Sequence, residues 1–340
     1  MTTTTDRIRR EARADDHRLA VDGLTKRYGD ISVVDDLTFT VEPGRITGFL
    51  GPNGSGKSTT MKMLLNLATP DHGTATIGGV RYRDLPDPGG TVGVVLEPNA
   101  FHPGRSGRNH LRVLARAADL SLERVDETLA TVGLEPQAAR RRVGTYSLGM
   151  KQRLSLAAAL LTDPPVLVLD EPANGLDPRG IRELRDLLRA RAALGHTVLV
   201  SSHLLTEVQH LVDDVVVINC GRLVTSGTVA ELTDSSALVR TPDPGHLADR
   251  LIAAGGRVER SGPDTLVVTG LALDRIGDAA HAANVALHEL SPHAGSLEDV
   301  FFALTGASTN DDPTNNTSPT TDNSFAPGSS GATHQEAFAS

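Results

Sequence analysis

Nine consecutive residues limit what this chain can fold into more tightly than any other feature: Gly51-Pro52-Asn53-Gly54-Ser55-Gly56-Lys57-Ser58-Thr59. A short apolar run, Ile46–Leu50, leads into them, and Lys57–Leu67 reads as a helix stopped by Pro70. The run fits G-x-x-x-x-G-K-[ST] at a strand-to-helix corner. Its glycines let the backbone curl so that successive N–H groups point at one oxyanion, and the helix that follows adds its positive end. Lys57 supplies a compact cation for terminal phosphates, and the Ser58 hydroxyl is a hard oxygen ligand for Mg²⁺. All but four of the 33 basic residues are arginine, the exceptions being Lys26, Lys57, Lys62 and Lys151. A lysine in the loop is therefore informative, because a guanidinium fork does not fit there as a point charge does. The run predicts a nucleoside triphosphate site whose cradle is Gly51 to Thr59.

Val166-Leu167-Val168-Leu169-Asp170-Glu171 reads as a buried strand ending in two acids. In a parallel sheet such a strand delivers carboxylates to the C-terminal edge, where ligands bind. Asp170 is expected to hold Mg²⁺ beside Ser58. Glu171 is expected to orient or deprotonate an attacking water.

Around these two sites the pattern is that of an α/β protein. Leu19-Ala20-Val21 and Ser32–Val41 read as strands about a Tyr28-Gly29-Asp30 turn, with further strands at 74–77 and 91–95. Leu111, Val113, Leu114, Leu122, Val125 and Leu129 recur at helical spacing within a block at about 106–163, which reads as an inserted helical subdomain. Strand and helix then alternate through Val166–Leu169, Pro178–Ala193, Thr197–Ser201, Leu204–Leu211 and Val215–Ile218, the rhythm of a mainly parallel sheet. After Asp234 the rhythm restarts: Leu238-Val239, a helix near His246–Ala254, Thr265–Val268, a helix near Leu273–Ala283, Val285–Leu290, and a closing segment Leu297–Leu304. The expected organisation is a disordered N-terminus (1–17), a nucleotide-binding domain (18–234), a small α+β accessory domain (235–305) and a disordered tail (306–340).

The bulk properties exclude several classes. A net charge of −9 argues against a nucleic-acid binder working by bulk electrostatics. No apolar run approaches the roughly 20 residues that span a bilayer, and the first thirty residues carry no secretory pattern, so a path across a membrane would have to come from another chain. The single cysteine, Cys220, follows an apolar run and is expected as inert core or strand-end packing. Arg140-Arg141-Arg142 reads either as a solvated turn or as a contact for phosphate or a partner.

Between the two chemical sites lies Tyr146-Ser147-Leu148-Gly149-Met150-Lys151-Gln152-Arg153. It resembles the signature of the ABC ATPase family, Leu-Ser-Gly-Gly-Gln followed by a basic residue, Gln and Arg. Asn174-Gly175-Leu176-Asp177 resembles the family's D-loop, and His203 in Ser201-Ser202-His203 its switch histidine. Order and spacing match from about residue 18 to 232. The wording, with Leu297-Glu298-Asp299-Val300-Phe301-Phe302, is similar to the bacterial drug- and bacitracin-export branch.

The resemblance implies a P-loop NTPase of ABC-ATPase type: a mainly parallel sheet, an antiparallel β portion and an inserted helical subdomain. It implies that Tyr28 stacks on adenine, a Tyr-Gly turn residue being the lesser alternative. It implies that Ser147 and Gly149 meet the γ-phosphate of ATP held by a second subunit, and that Asp177 of the D-loop-like segment is a further nucleotide-binding residue. His203 would bond the γ-phosphate, and Glu97 in Val94-Val95-Leu96-Glu97-Pro98 would touch Mg²⁺ where the family has glutamine. ATP and Mg²⁺ are the implied cofactors. The implied partners are a homo- or heterodimeric second nucleotide-binding subunit and an ABC-2-type membrane permease, docked on the inserted helices and the Glu97 loop. No nucleic acid is implied, and the place is the cytoplasmic face of the cell membrane, held through the permease. Leu148 replaces the first signature glycine and Met150 the glutamine, while the serine and second glycine remain. Two other readings stay open: a non-transport ABC ATPase acting on ribosomes or DNA, and a silent regulatory ATP-binding module.

Overall fold

The computed structural model describes residues 17–96, 101–202, 209, 211–232 and 236–293. In chain order the main elements are β1 (Leu19–Tyr28), β2 (Ile31–Val41), β3 (Ile46–Leu50), α1 (Lys57–Leu64), β4 (His72–Ile77) and β5 (Val92–Val95). The helices α2 (Gly107–Ala117), α3 (Glu123–Thr131), α4 (Pro136–Arg140) and α5 (Leu148–Leu160) follow, then β6 (Val166–Leu169), α6 (Pro178–Ala193), β7 (Thr197–Ser202), β8 (Asp214–Asn219) and β9 (Arg222–Thr228). The last group is β10 (Ser236–Arg240), α7 (Pro244–Ala253), β11 (Arg257–Arg260), β12 (Thr265–Thr269), α8 (Leu273–Ala282) and β13 (Glu289–His293).

The central sheet has the order β5-β6-β7-β3-β8-β9. Its neighbours run parallel except for the antiparallel β8–β9 hairpin. Every residue of β3, β6 and β7 is buried, as expected of strands covered on both faces. Successive side chains enter different cores. Phe49 and Val168 pack with the β1/β2 side and Met61 of α1, whereas Leu50 and Leu169 pack with Leu111, Val125, Leu129 and Leu154 of the helices. Because β3, β6 and β7 are parallel neighbours across β7, their C-terminal ends bring Gly51, Asp170 and Ser202 to one sheet edge.

An antiparallel sheet of order β2-β1-β4 lies beside the second core. Residues 236–293 form a four-stranded antiparallel sheet, β11-β12-β10-β13, with its own core built from Val239, Leu247, Leu251, Leu266, Val268 and Ile276. Among the described residues no helix is long and apolar enough to cross a membrane.

Several expectations shift. Helix α1 stops at Leu64, not Leu67, because Asn66 turns into the left-handed region at φ 55°. Val113 is exposed, since a residue two positions after the buried Leu111 faces the other side of α2. Cys220 is exposed: with φ 48°, followed by Gly221 at φ 78°, it forms the tight β8–β9 turn instead of packing. The last strand runs over 289–293, since Val285 N–H still caps helix α8 by donating to the Ala280 carbonyl. The expected disordered ends, the helix Leu204–Leu211 except residues 209 and 211, and the closing segment Leu297–Leu304 lie outside the described residues.

Candidate nucleotide site

The loop between β3 and α1 can take its path only with glycine at particular places. Gly56 has φ 104°, and a Cβ there would stand 2.6 Å from the Val33 carbonyl oxygen. At Gly51 a Cβ would meet the Ile218 carbonyl at 2.4 Å. The loop is thus wedged between β2 and the β8–β9 hairpin, and Gly221 N–H donates to the Ser55 carbonyl at 3.0 Å. Lys57 is buried, and its Nζ donates back to the carbonyls of Gly51 (2.6 Å) and Pro52 (3.1 Å). Burial pushes the Lys57 ammonium pKa down, while the charges of Glu171 and Asp170 pull it back up.

The acids arrive from β6. Ser58 Oγ donates to Asp170 Oδ2 at 2.6 Å, and Ser201 Oγ donates to Asp170 Oδ1. The same Ser201 hydroxyl accepts from the Glu171 N–H at 2.9 Å. Glu171 has φ 49°, a left-handed conformation that costs a non-glycine residue about 1 kcal/mol and marks a turn held by its surroundings. One cleft is lined by Val33, by the loop residues Asn53 to Thr59, and by Asp170 and Glu171.

This lining suits a metal–triphosphate. Ser58 and Asp170 place two hard oxygen ligands side by side. Ser55 Oγ is buried without a hydrogen-bond partner, a polar atom inside the loop that an oxyanion would satisfy. Among the described residues no group of three or more His, Cys, Asp or Glu gathers as a self-sufficient metal centre. A cation here would complete its shell with phosphate and water, as Mg²⁺ does.

The signature residues form a second cluster. Ser147 caps α5 by accepting from Met150 N–H at 3.3 Å. A Cβ on Gly149 would meet the Gly175 carbonyl at 2.6 Å, so the start of α5 lies directly against the segment before α6. Asp177 caps α6 by accepting from Gly180 N–H at 2.9 Å. Arg153 Nη1 ties the helices together, donating to the Val132 carbonyl (2.7 Å) and to Glu183 Oε2 (2.8 Å). Tyr28 ends β1 as a 54% exposed residue, with Lys26 Nζ 5.3 Å from its ring centroid; it does not line the phosphate cleft. Glu97 and His203 lie outside the described residues. Sequence reasoning missed Val33, Ser201 and the hairpin at Gly221. Ser201 opens the Ser201-Ser202-His203 motif, but its role depends on β7 lying beside β6.

A P-loop at the C-terminal edge of a parallel sheet, beside an acidic strand end and a capped signature helix, defines an ATP-binding cassette. The family model described as ABC transporter matches residues 34–174, and a domain of unknown function matches 235–298. The chain is 40% identical over 217 residues to the bacitracin transport ATP-binding protein BcrA of Enterococcus faecalis, covering 63% of this chain and 70% of that protein. It is 38% identical over 296 residues to the Nod factor export ATP-binding protein I of Burkholderia orbicola (strain AU 1054), covering 83% and 95%. A solved ATP binding subunit of an ABC transporter superposes with a TM-score of 0.57 at 32% identity, covering 63% of this chain and 91% of that one. A dimeric ATP-binding cassette in a post-hydrolysis state, bound to ADP and Pi, shares the fold at 22% identity, with a TM-score of 0.57 and coverage of 62% and 98%. The chain belongs to the ABC transporter ATP-binding proteins and is an ATP-binding subunit of that family.

Proposed function

We propose that this subunit hydrolyses ATP to drive a separate ABC-2-type membrane permease in export, with a drug, antibiotic or other hydrophobic or peptide compound as cargo. The observation that carries the reading is the contact of Ser58 with Asp170 beside Glu171, which joins the phosphate loop to the acidic strand end. Mg²⁺ held by Ser58 and Asp170, with Glu97 alongside, would neutralise phosphate charge. Gly51 to Thr59 cradle the phosphates, and Lys57 compensates their charge. Glu171 accepts a proton from the attacking water, and His203 bonds the γ-phosphate. Tyr28 stacks on the adenine.

One phosphate loop and one signature segment per chain favour a head-to-tail dimer, homo- or heteromeric. In it Ser147, Gly149 and Asp177 of one subunit close over ATP held by the other. ATP then acts as interfacial glue, and its cleavage reopens the pair, the two-state motion a permease harnesses. The catalytic unit is 18–234, with 106–163 as its helical subdomain and 235–305 as an accessory domain, and the assembly sits on the cytoplasmic face of the membrane. The relatives named for bacitracin transport and Nod factor export support the export direction.

The test is phosphate release from Mg-ATP by the full chain alongside Lys57→Ala. Release by wild type with loss of nucleotide retention in the variant is expected. A wild-type chain that neither retains nor cleaves Mg-ATP, even with a second nucleotide-binding subunit supplied, would overturn the reading.

A further inference from the structure

Glu171 opens a short turn whose far side is gripped by helix α5. Leu148 and Gln152 lie four positions apart on that helix and Gly149 and Gln152 three, so one face presents all of them. That face meets residues 172–175. Gln152 Nε2 donates to the Pro172 carbonyl at 3.0 Å. A Cβ on Gly149 would stand 2.6 Å from the Gly175 carbonyl oxygen, and one on Gly175 would stand 2.5 Å from Leu148 Cγ. On the near side Ser201 Oγ accepts from the Glu171 N–H at 2.9 Å. The turn closes on itself where Asn174 N–H donates to the Glu171 carbonyl at 3.2 Å.

Gln152 is fully buried, yet its Oε1 has no hydrogen-bond partner. A buried amide satisfied on one side only costs stability that a methionine of similar size would not. Among the described residues the side chain's one hydrogen bond goes to Pro172. Pro172 is itself buried, and its ring locks φ, so ψ is the one soft backbone torsion left there. The bond to its carbonyl fixes that torsion. The residue it steadies follows directly on Glu171, whose own backbone sits at the unfavourable φ of 49°.

We infer that Gln152 is a positioning residue for Glu171: its bond to Pro172 holds the turn, and with it the carboxylate, where it can take a proton from the attacking water. Gln152 does not line the phosphate cleft, so it acts through the turn and not on the nucleotide. The inference rests on the reading of Glu171 as the base and adds the residue that aims it. Helix α5 starts at the signature residue Ser147, so the helix that carries the signature also steadies the base of its own subunit.

Gln152→Met keeps the volume and removes the donor. Gln152→Leu removes it with a different shape and serves if the methionine variant does not fold. Amide hydrogen exchange on the full chain reads the turn without any turnover. In the variant the amides of segment 171–176 should exchange about tenfold faster, while those of Gly56 to Thr59 keep the wild-type rate. Phosphate release from Mg-ATP should slow about tenfold, the scale on which a slightly misplaced reacting group acts, while the Kd for a fluorescent ATP analogue stays within about twofold. In the Glu171→Gln background Gln152→Met should slow single-turnover hydrolysis no further, since a residue acting through the carboxylate has nothing left to aim. Unchanged exchange in the turn, unchanged phosphate release, an equal loss of ATP binding, or a further tenfold slowing in the double variant would each overturn the inference. A wild-type chain inert toward Mg-ATP would instead sink the function proposed above, and the exchange rates would still decide whether Gln152 holds the turn.

Discussion

Ser58 Oγ stands 2.6 Å from Asp170 Oδ2, so two residues 112 positions apart in the chain share one hydrogen bond at the sheet edge. The contact exists because β3 and β6 both flank β7 in parallel register, which lays the phosphate loop beside the end of the acidic strand. In the proposed chemistry these two oxygens share a divalent cation. Ser58→Ala should then raise the Mg²⁺ concentration that half-saturates phosphate release by about tenfold or more, in the range seen when groups around a metal are removed. Asp170→Asn should do at least as much. Titration of activity against Mg²⁺ checks this, and an unchanged midpoint in Ser58→Ala would count against the shared-cation assignment.

Two glycines of the loop offer an internal comparison. Gly54 has φ 81°, and a Cβ added there would find nothing within 4 Å, whereas Gly56 has φ 104° and the Val33 carbonyl 2.6 Å away. Gly54→Ala should cost about 1 kcal/mol, the strain of a left-handed alanine. Gly56→Ala adds a backbone collision and should cost about 3 kcal/mol or more, with weakened ATP binding. Thermal denaturation with and without ATP measures both, and equal losses would contradict the wedged geometry.

Arg153 joins three helices, and its removal should carry a pH signature. Hydrogen bonds from Arg153 and then Arg179 hold the Glu183 carboxyl below its ordinary value of 4.5. A depressed carboxylate stabilises the fold above its unfolded value, and that stabilisation is lost as pH falls through the folded value. Glu183 is 40% exposed, so the ion pair itself is screened and contributes little. The larger loss in Arg153→Gln comes from the stranded Val132 carbonyl, for a deficit of about 1–2 kcal/mol at pH 7. The deficit should narrow as pH falls below the ordinary carboxyl value of 4.5 and Glu183 takes up its proton. Stability curves from pH 7 to 3 test this; a constant deficit would show that Glu183 takes no part.

The gathering of this candidate site was legible where the proposed chemistry dictates residue type. Gly56, Lys57, Ser58, Asp170 and Glu171 could be read because few other residues serve at a phosphate cradle and a metal edge. The strands β3, β6 and β7 were legible as continuous apolar runs, the mark of burial on both faces. What escaped depends on tertiary neighbours. Ser201 is an ordinary strand-end serine until β7 lies beside β6. Strand β9 escaped because all its residues are exposed or half-buried, so it lacks an apolar signal. The end of α1 is set by the backbone of Asn66, and the exposure of Cys220 by a tight turn, neither of which hydrophobic periodicity encodes.

The central claim is that Glu171 primes the water that cleaves ATP held at the phosphate loop. Glu171→Gln keeps size and polarity but removes the basic carboxylate. With Mg-ATP the variant should release phosphate at about 1% of the wild-type rate or less, a loss at the strong end of general-base effects, and light scattering should find it as a persistent ATP-dependent dimer. Phosphate release at the wild-type rate from Glu171→Gln would contradict the account.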